Sequence, residues 1–297
     1  MCTNDNSGAL LPKGNAMPAY LRPDSVTQAL DALKSGALCV IAGGTDFYPA
    51  RVGRATREDV LDISALAELR GITETDDHWR LGALTTWTDV LRADLPPLFD
   101  GLKQAARTIG GAQIQNVATV CGNLCNASPA ADGIPALLCL DAEVELSWTD
   151  GEARMPLRAF ITGNRRTARR ADQLMTAVLV PKTGAARAAS RFLKLGAREY
   201  LVISIAMVAV AVEIGADGTV SRARVALGAC SEVAQRLDAL EAALAGRPLD
   251  ARLGEAVEPA HLAGLSPIDD MRATAAYRRD AALTLVRRAL SELGAAP

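Results

Sequence analysis

Residues 118–132 read ATVCGNLCNASPAAD, and the fold turns on what this stretch is. Cys121 and Cys125 stand four positions apart, a spacing open to two readings: ligands for a metal, or bystanders in a loop whose backbone holds something else. The surrounding small residues favour the second. Thr119, Gly122 and Asn123 fall within five positions, and Ser128 and Asp132 follow. Glycine has no Cβ, so several backbone N–H groups can converge on one anionic oxygen, and such a loop can cradle a phosphate. An iron–sulfur centre normally draws on four thiolates in an ordered loop, and Cys139 brings the local set only to three. The cysteines are therefore read as small apolar side chains packed beside the loop.

A second small-residue loop lies upstream. Ser25 and Gln28 have capping-box spacing, Val26, Ala29, Leu30 and Leu33 share one apolar face, and Gly36 follows, which predicts a helix from about Ser25 to Ser35. Leu38–Ile41 reads as a buried strand that empties directly into AGGTD, residues 42–46. Thr45 and Asp46 can hydrogen-bond phosphate, ribose or backbone. A Gly-Gly turn alone is a weak sign, and the dinucleotide fingerprint G-x-G-x-x-G opening a helix is absent, with Pro49 following too soon. Two such loops in one domain, neither leading into an ordinary dinucleotide helix, point to one long ligand gripped at two places.

The rest of the chain reads as mixed α+β. LKQAARTIG (102–110) has helical spacing, and the polar GAQIQN after it reads as irregular. PALLCLDAEVELSW (135–148) reads as a short helix leading into a strand, Thr149-Asp150-Gly151 as a hairpin with MPLRAFI as its return, and DQLMTAVLVP (172–181) as a strand closed by Pro181. The loose TGAARAAS (183–190) is a linker. Beyond it come a strand at FLKLG (192–196), a buried strand in the apolar run Leu201–Val212, an Asp217-Gly218 hairpin and a strand at RARVALGA (222–229). Two helices finish the chain, the second with Asp269 or Asp270 as N-cap and Arg287 and Arg288 near its C-terminal end, where the dipole favours cations. Two α+β domains are expected, residues 17–184 and 185–297, after a disordered extension over residues 1–16.

Composition excludes several functions. The 297 residues are 49% hydrophobic, enough for a sizeable core. The 32 basic and 34 acidic residues are interspersed for a net charge of -2, which argues against a nucleic-acid partner. The longest apolar run, Leu201–Val212, falls short of the roughly 20 residues of a membrane span. No basic segment followed by an apolar one opens the chain, and the cysteines are scattered, so a cytoplasmic location with reduced thiols is expected. His78 and His261, the two histidines, read as surface turn residues outside any metal or triad spacing. No G-x-S-x-G elbow and no G-x-x-x-x-G-K-[ST] loop is present. Arg165, Arg166, Arg169 and Arg170 read as a solvated basic loop, or else as a docking surface for another subunit. Whatever chemistry this chain supports is best carried by a cofactor.

The residues that carry a family resemblance are VIAGGTDF (40–47) and QNVATVCGNLCNASPAADGIPALLCLDAEVEL (115–146), followed by FITGNRRT, FLKLGAREYLVISIAMVAVAV and the helical C-terminal segments. Together they resemble the FAD-binding medium subunit of the molybdenum hydroxylases, the group of xanthine dehydrogenase and aerobic carbon monoxide dehydrogenase, over nearly the whole chain from Met17. The resemblance implies a two-lobed FAD-binding domain of the vanillyl-alcohol oxidase and MurB-like type, then a small α+β domain of the carbon monoxide dehydrogenase flavoprotein type. It implies FAD contacts at Val40, Ile41, Ala42, Gly43, Gly44, Thr45, Asp46 and Phe47 in the first loop and at Thr119, Val120, Cys121, Gly122 and Asn123 in the second. Asp132 would serve the adenosine or ribose end, Met175 would line the flavin, and Lys194 would lie near the ring, its cation stabilising negative charge there.

The family usually has glycine where this chain has Cys121; cysteine fits if the position needs only a small side chain and would be strained if it needs a positive φ. The implied partners are a large molybdopterin-binding subunit and a small subunit with 2Fe-2S clusters, in a dimer of heterotrimers that delivers electrons to NAD or another acceptor. Two rivals are a stand-alone flavin-dependent oxidase of a small molecule and a non-catalytic nucleotide-binding assembly protein. The first needs a substrate base or a covalent flavin anchor, and no histidine stands near either loop.

Overall fold

Ser25 acts as its spacing predicts: its Oγ accepts the Gln28 N–H at 3.3 Å, starting α1 (Val26–Leu33), and Gly36, at φ +68°, turns the chain out of the helix. The computed structural model describes residues 17–295, so the extension expected to be disordered, residues 1–16, lies outside the described residues. A small parallel sheet is built from β1 (Tyr20–Leu21), β2 (Leu38–Ile41) and β3 (Asp59–Asp62) in the order β1-β3-β2, with Ile41 opposite Asp62. The AGGTD loop therefore leaves the C-terminal edge of a parallel sheet, the edge at which open α/β sheets bind ligands.

An antiparallel sheet follows, from β4 (Ile72–Glu74), β5 (His78–Gly82), β6 (Glu143–Trp148) and β7 (Gly151–Pro156); after a ribbon of β8 (Ile161–Gly163) and β9 (Arg166–Thr167), β10 (Leu174–Pro181) enters between β5 and β6. Its central place explains why β10 is buried from Leu174 to Val180 and apolar there except at Thr176. The segment between β5 and β6 holds α2 (Trp87–Arg92), α3 (Asp100–Thr108), α4 (Ala112–Gln115), α5 (Val120–Asn126) and α6 (Gly133–Cys139); α7 (Leu157–Phe160) follows β7.

The C-terminal part is an antiparallel sheet of β11 (Arg187–Leu195), β12 (Ala206–Ile214), β13 (Val220–Gly228) and β14 (Gln235–Arg236), backed by α8 (Asp238–Leu244) and α9 (Ala275–Gly294). Along β12 the side chains alternate between two cores. Met207, Ala209 and Ala211 join the core of the preceding sheets, while Val208, Val210 and Val212 pack with α9 residues such as Val286 and Leu290. The strand is apolar from Ala206 to Val212 because both of its faces are covered there. On the first face α3 comes so near β11 that a Cβ on Gly101 would lie 3.1 Å from Ser190 Oγ, which itself donates to Leu98 O and accepts the Gly101 N–H.

Several expectations are corrected. The polar GAQIQN is not irregular, since Ala112–Gln115 form α4. The strand expected from Leu201 begins at Ala206, because the chain first bends through Leu201 at φ +53°, leaving that side chain 58% exposed. The linker is shorter than expected, since β11 starts at Arg187 and buries Ser190. The last helix is capped by Thr274, whose Oγ1 accepts the Tyr277 N–H at 3.2 Å, rather than by Asp269 or Asp270. His78 is no surface turn: it opens β5, its side chain 12% exposed between Thr75 and Asp77. No helix of the described residues is long and apolar enough to cross a membrane.

Candidate functional site

The stretch that opened the sequence is the start of a helix. Thr119 is the N-cap of α5, its Oγ1 accepting the Gly122 N–H at 3.0 Å, and the Val120 N–H donates to Thr85 O at 3.0 Å. Val120 and Cys121 turn into the core, while Gly122 faces out beside the half-buried Asn123. The second candidate segment is thus the first turn of a helix pinned to residues 85–87, a more rigid support than a loop.

The AGGTD loop is fitted against this turn. A Cβ on Gly43 would sit 1.8 Å from Val117 O, so only glycine permits the loop backbone to rest on the residues that lead into α5. Gly44 takes φ +67° and lies against the Tyr48 ring. Phe47 holds the loop down from below: it packs on Cys39, Ile41 and Val60, with the Arg51 guanidinium 3.7 Å from its ring centroid. Ile41 is buried and Val40 partly so, which makes both supports for the loop through their side chains. Ala42, Gly43, Gly44 and Thr45 are left partly open, with Gly43 seated on Val117.

Asp132 and Lys194 were expected at different ends of the cofactor, yet they meet at one point. Lys194 Nζ lies 2.6 Å from Asp132 Oδ2, with the two side chains 8% and 5% exposed. The carboxylate is completed by the hydroxyls of Thr108 at 2.9 Å and Ser204 at 2.5 Å. A buried ion pair has little net charge, so this arrangement ties β11 to the start of α6 and offers the site no isolated cation. Met175 is buried in β10, with its Sδ 3.9 Å from Cys125 Sγ.

The cysteines divide accordingly. Burial pushes the Cys121 thiol well above its usual range and the Cys139 thiol up to about 12, which keeps both protonated, whereas Cys125 is exposed. Cys121 lies inside α5 and is not among the residues of positive φ, so the position asks for a small side chain rather than for glycine's backbone freedom. Among the described residues no group of three or more His, Cys, Asp or Glu side chains is placed to hold a metal ion.

Arg165 was read as part of a solvated loop, and this too is corrected. Its Nη1 donates to Asp46 Oδ2 at 2.5 Å and also to Asn126 Oδ1, joining the AGGTD loop to α5. Sequence reading had no signal for it, because Asp46 lies 119 positions away. Arg166 pairs with Glu232, Arg169 donates to Gln173 O, and Arg170 pairs with Asp172 beside the Trp148 ring, so these side chains too have partners.

A cradle of small residues, too narrow at Gly43 for any side chain, suits the diphosphate of an extended dinucleotide cofactor. Asn123 Oδ1, buried without a hydrogen-bond partner among the described residues, is a polar atom of the kind that a bound group or water satisfies. Comparison with known proteins fits this chemistry. Residues 14–183 match the family described as the FAD binding domain in molybdopterin dehydrogenase, and residues 191–293 match the CO dehydrogenase flavoprotein C-terminal domain. The class is therefore a flavoprotein with two characteristic domains.

The chain belongs to the FAD-binding subunits of the molybdenum hydroxylase family, the family that its paired loops resemble. It is 29% identical over 282 residues to the xanthine dehydrogenase FAD-binding subunit of Escherichia coli, spanning 94% of this chain and 96% of that one. It is 32% identical over 252 residues to the nicotinate dehydrogenase FAD-subunit of Eubacterium barkeri, spanning 81% and 83%. Among solved structures, the carbon monoxide dehydrogenase of Hydrogenophaga pseudoflava that lacks the Mo-pyranopterin moiety contains a chain that superposes with a TM-score of 0.85 at 28% identity, over 95% of this chain and 99% of that one.

Proposed function

We propose that this FAD-binding subunit works in a cytoplasmic three-subunit enzyme, beside a large molybdopterin-binding subunit and a small subunit carrying 2Fe-2S clusters, in a dimer of such trimers. It receives electrons from the clusters and delivers them to NAD or another acceptor. FAD suits this role because it exchanges electrons singly with a cluster and in pairs with an acceptor. The chain's residues bind and orient. Ala42–Thr45 and the first turn of α5 hold the diphosphate, Met175 lines the ring, and the Lys194–Asp132 pair keeps the C-terminal sheet in register with α6. The observation that carries the reading is end-to-end similarity: both domains match along chains named as FAD subunits of larger dehydrogenases.

Native purification from the host organism, with subunit identification, metal analysis and a visible spectrum, tests it. Two further subunits, molybdenum, iron and flavin absorption are expected to co-purify. A chain that emerges flavin-loaded but alone and free of molybdenum would refute the three-subunit reading.

A further inference from the structure

We propose that Arg165 is a positioning residue for FAD: it latches the AGGTD loop to the far end of α5 and so sets the width of the cradle between them. The proposal rests on the assignment of these two segments to the cofactor. They touch at two places. At the near end Gly43 sits on Val117 O, just before α5 begins; at the far end Arg165 joins Asp46 to Asn126, the last residue of α5. A helix of this length puts the two contacts about 10 Å apart, with Gly44, Thr45, Gly122 and Asn123 between them. Phe47 anchors the loop to its own sheet, and Arg165 adds the link that fixes the Asp46 end of the loop against α5.

The backbone of Arg165 is built for this task at some cost. Its φ is +60°, a conformation that glycine would adopt freely and arginine does not. Its N–H donates at 2.9 Å to the carbonyl of Ala127, the left-handed C-cap of α5, so the helix end itself places the latch. On either side of it, Asn164 N–H and Arg166 Nη2 reach Glu232 Oε1 at 3.2 and 3.1 Å, anchoring the tip of the β8–β9 hairpin to the C-terminal domain. The ion pair adds little stability of its own, because the Arg165 and Asp46 side chains are 31% and 49% exposed. A strained arginine that makes a weakly stabilising pair across two ligand-holding segments is better explained by geometry than by folding.

The test uses the full-length chain loaded with FAD, and compares Arg165→Gly, Arg165→Lys and Gly122→Leu. The rate of FAD release is read from the rise in flavin fluorescence on dilution, and the melting temperature is taken on the FAD-free protein. Arg165→Gly is expected to release FAD roughly tenfold faster, about the effect of one charge-assisted contact, while melting at or above the wild-type temperature because glycine relieves the positive φ. Arg165→Lys, which keeps the charge but not the planar fork, should fall between. If Arg165→Gly releases FAD at the wild-type rate while Gly122→Leu loses it, the latch is wrong and the cradle stands. If Gly122→Leu also keeps FAD, the cradle assignment fails and the latch with it. A melting temperature lowered in both Arg165 variants, with no rescue of FAD retention by lysine, would make Arg165 a folding residue and overturn the proposal.

Discussion

Cys121 points into the core from the first turn of α5, and its backbone is helical. Glycine there would cost about 1 kcal/mol relative to alanine in a helix and would forfeit the buried thiol. Cys121→Gly is therefore expected to keep its FAD affinity in a fluorescence titration but to melt at a lower temperature, with Cys121→Ala closer to wild type. A variant that melts normally yet loses FAD would show that the thiol touches the cofactor. Lys194 presents the opposite case, a long side chain committed to one partner. Lys194→Met strands the Asp132 carboxylate in a site 5% exposed, and removing one member of a buried pair costs on the order of 3–5 kcal/mol. Denaturant midpoints should show a loss of this size for Lys194→Met and a smaller one when Asp132→Leu is added, because two apolar residues leave no orphaned charge.

Among the elements, α5 carries much of the candidate site, and it depends on its N-cap at Thr119. Thr119→Ala leaves the Gly122 N–H without its partner at 3.0 Å and should destabilise the chain by about 1 kcal/mol, while Thr119→Ser restores the cap; thermal melts of the three proteins check this. Caps formed by residues near in sequence could be read in advance where the spacing was clean, as at Ser25. The cap at Thr274 was hidden by two nearer-looking acids: Asp269 instead accepts the Ala275 N–H, and Asp270 turns to Arg272 and Arg278. The start of β12 is obscured in the sequence for a related reason. Val202, Ile203 and Ser204 continue the hydropathic run, but Ser204 is drawn aside to Asp132, a partner 72 positions away that no local pattern reveals.

For the whole molecule, the decisive joint is between the β11–β14 sheet and the preceding core. Asp141, in the turn between α6 and β6, lies within 2.8 Å of Arg222, 3.0 Å of Arg224 and 2.8 Å of Arg236. Arg224 is 2% exposed, and its other end nears Glu213 at 2.7 Å without the alignment of a full hydrogen bond, so Asp141 is its better partner. Asp141→Ala should cost several kcal/mol, on the scale of a broken buried pair. Calorimetry is expected to show one transition for the wild type and a broadened or split one for Asp141→Ala as the two parts uncouple; a single transition in both would show that apolar packing alone joins them.

The sequence by itself determined the class of the protein: the paired small-residue segments at 42–46 and 118–123, most of the apolar strands and the cap at Ser25 depend on neighbours along the chain, so local pattern and family resemblance made them legible. Tertiary structure decided how those pieces meet. Gly43 on Val117, Lys194 on Asp132 and Arg165 between Asp46 and Asn126 join residues 39 to 119 positions apart, except that Gly43 and Val117 meet through a missing Cβ rather than a bond. Such pairs are selected by the geometry of packed sheets and helices, in which a charge is stable only where its counter-charge arrives, and periodicity along the chain carries no record of where that is.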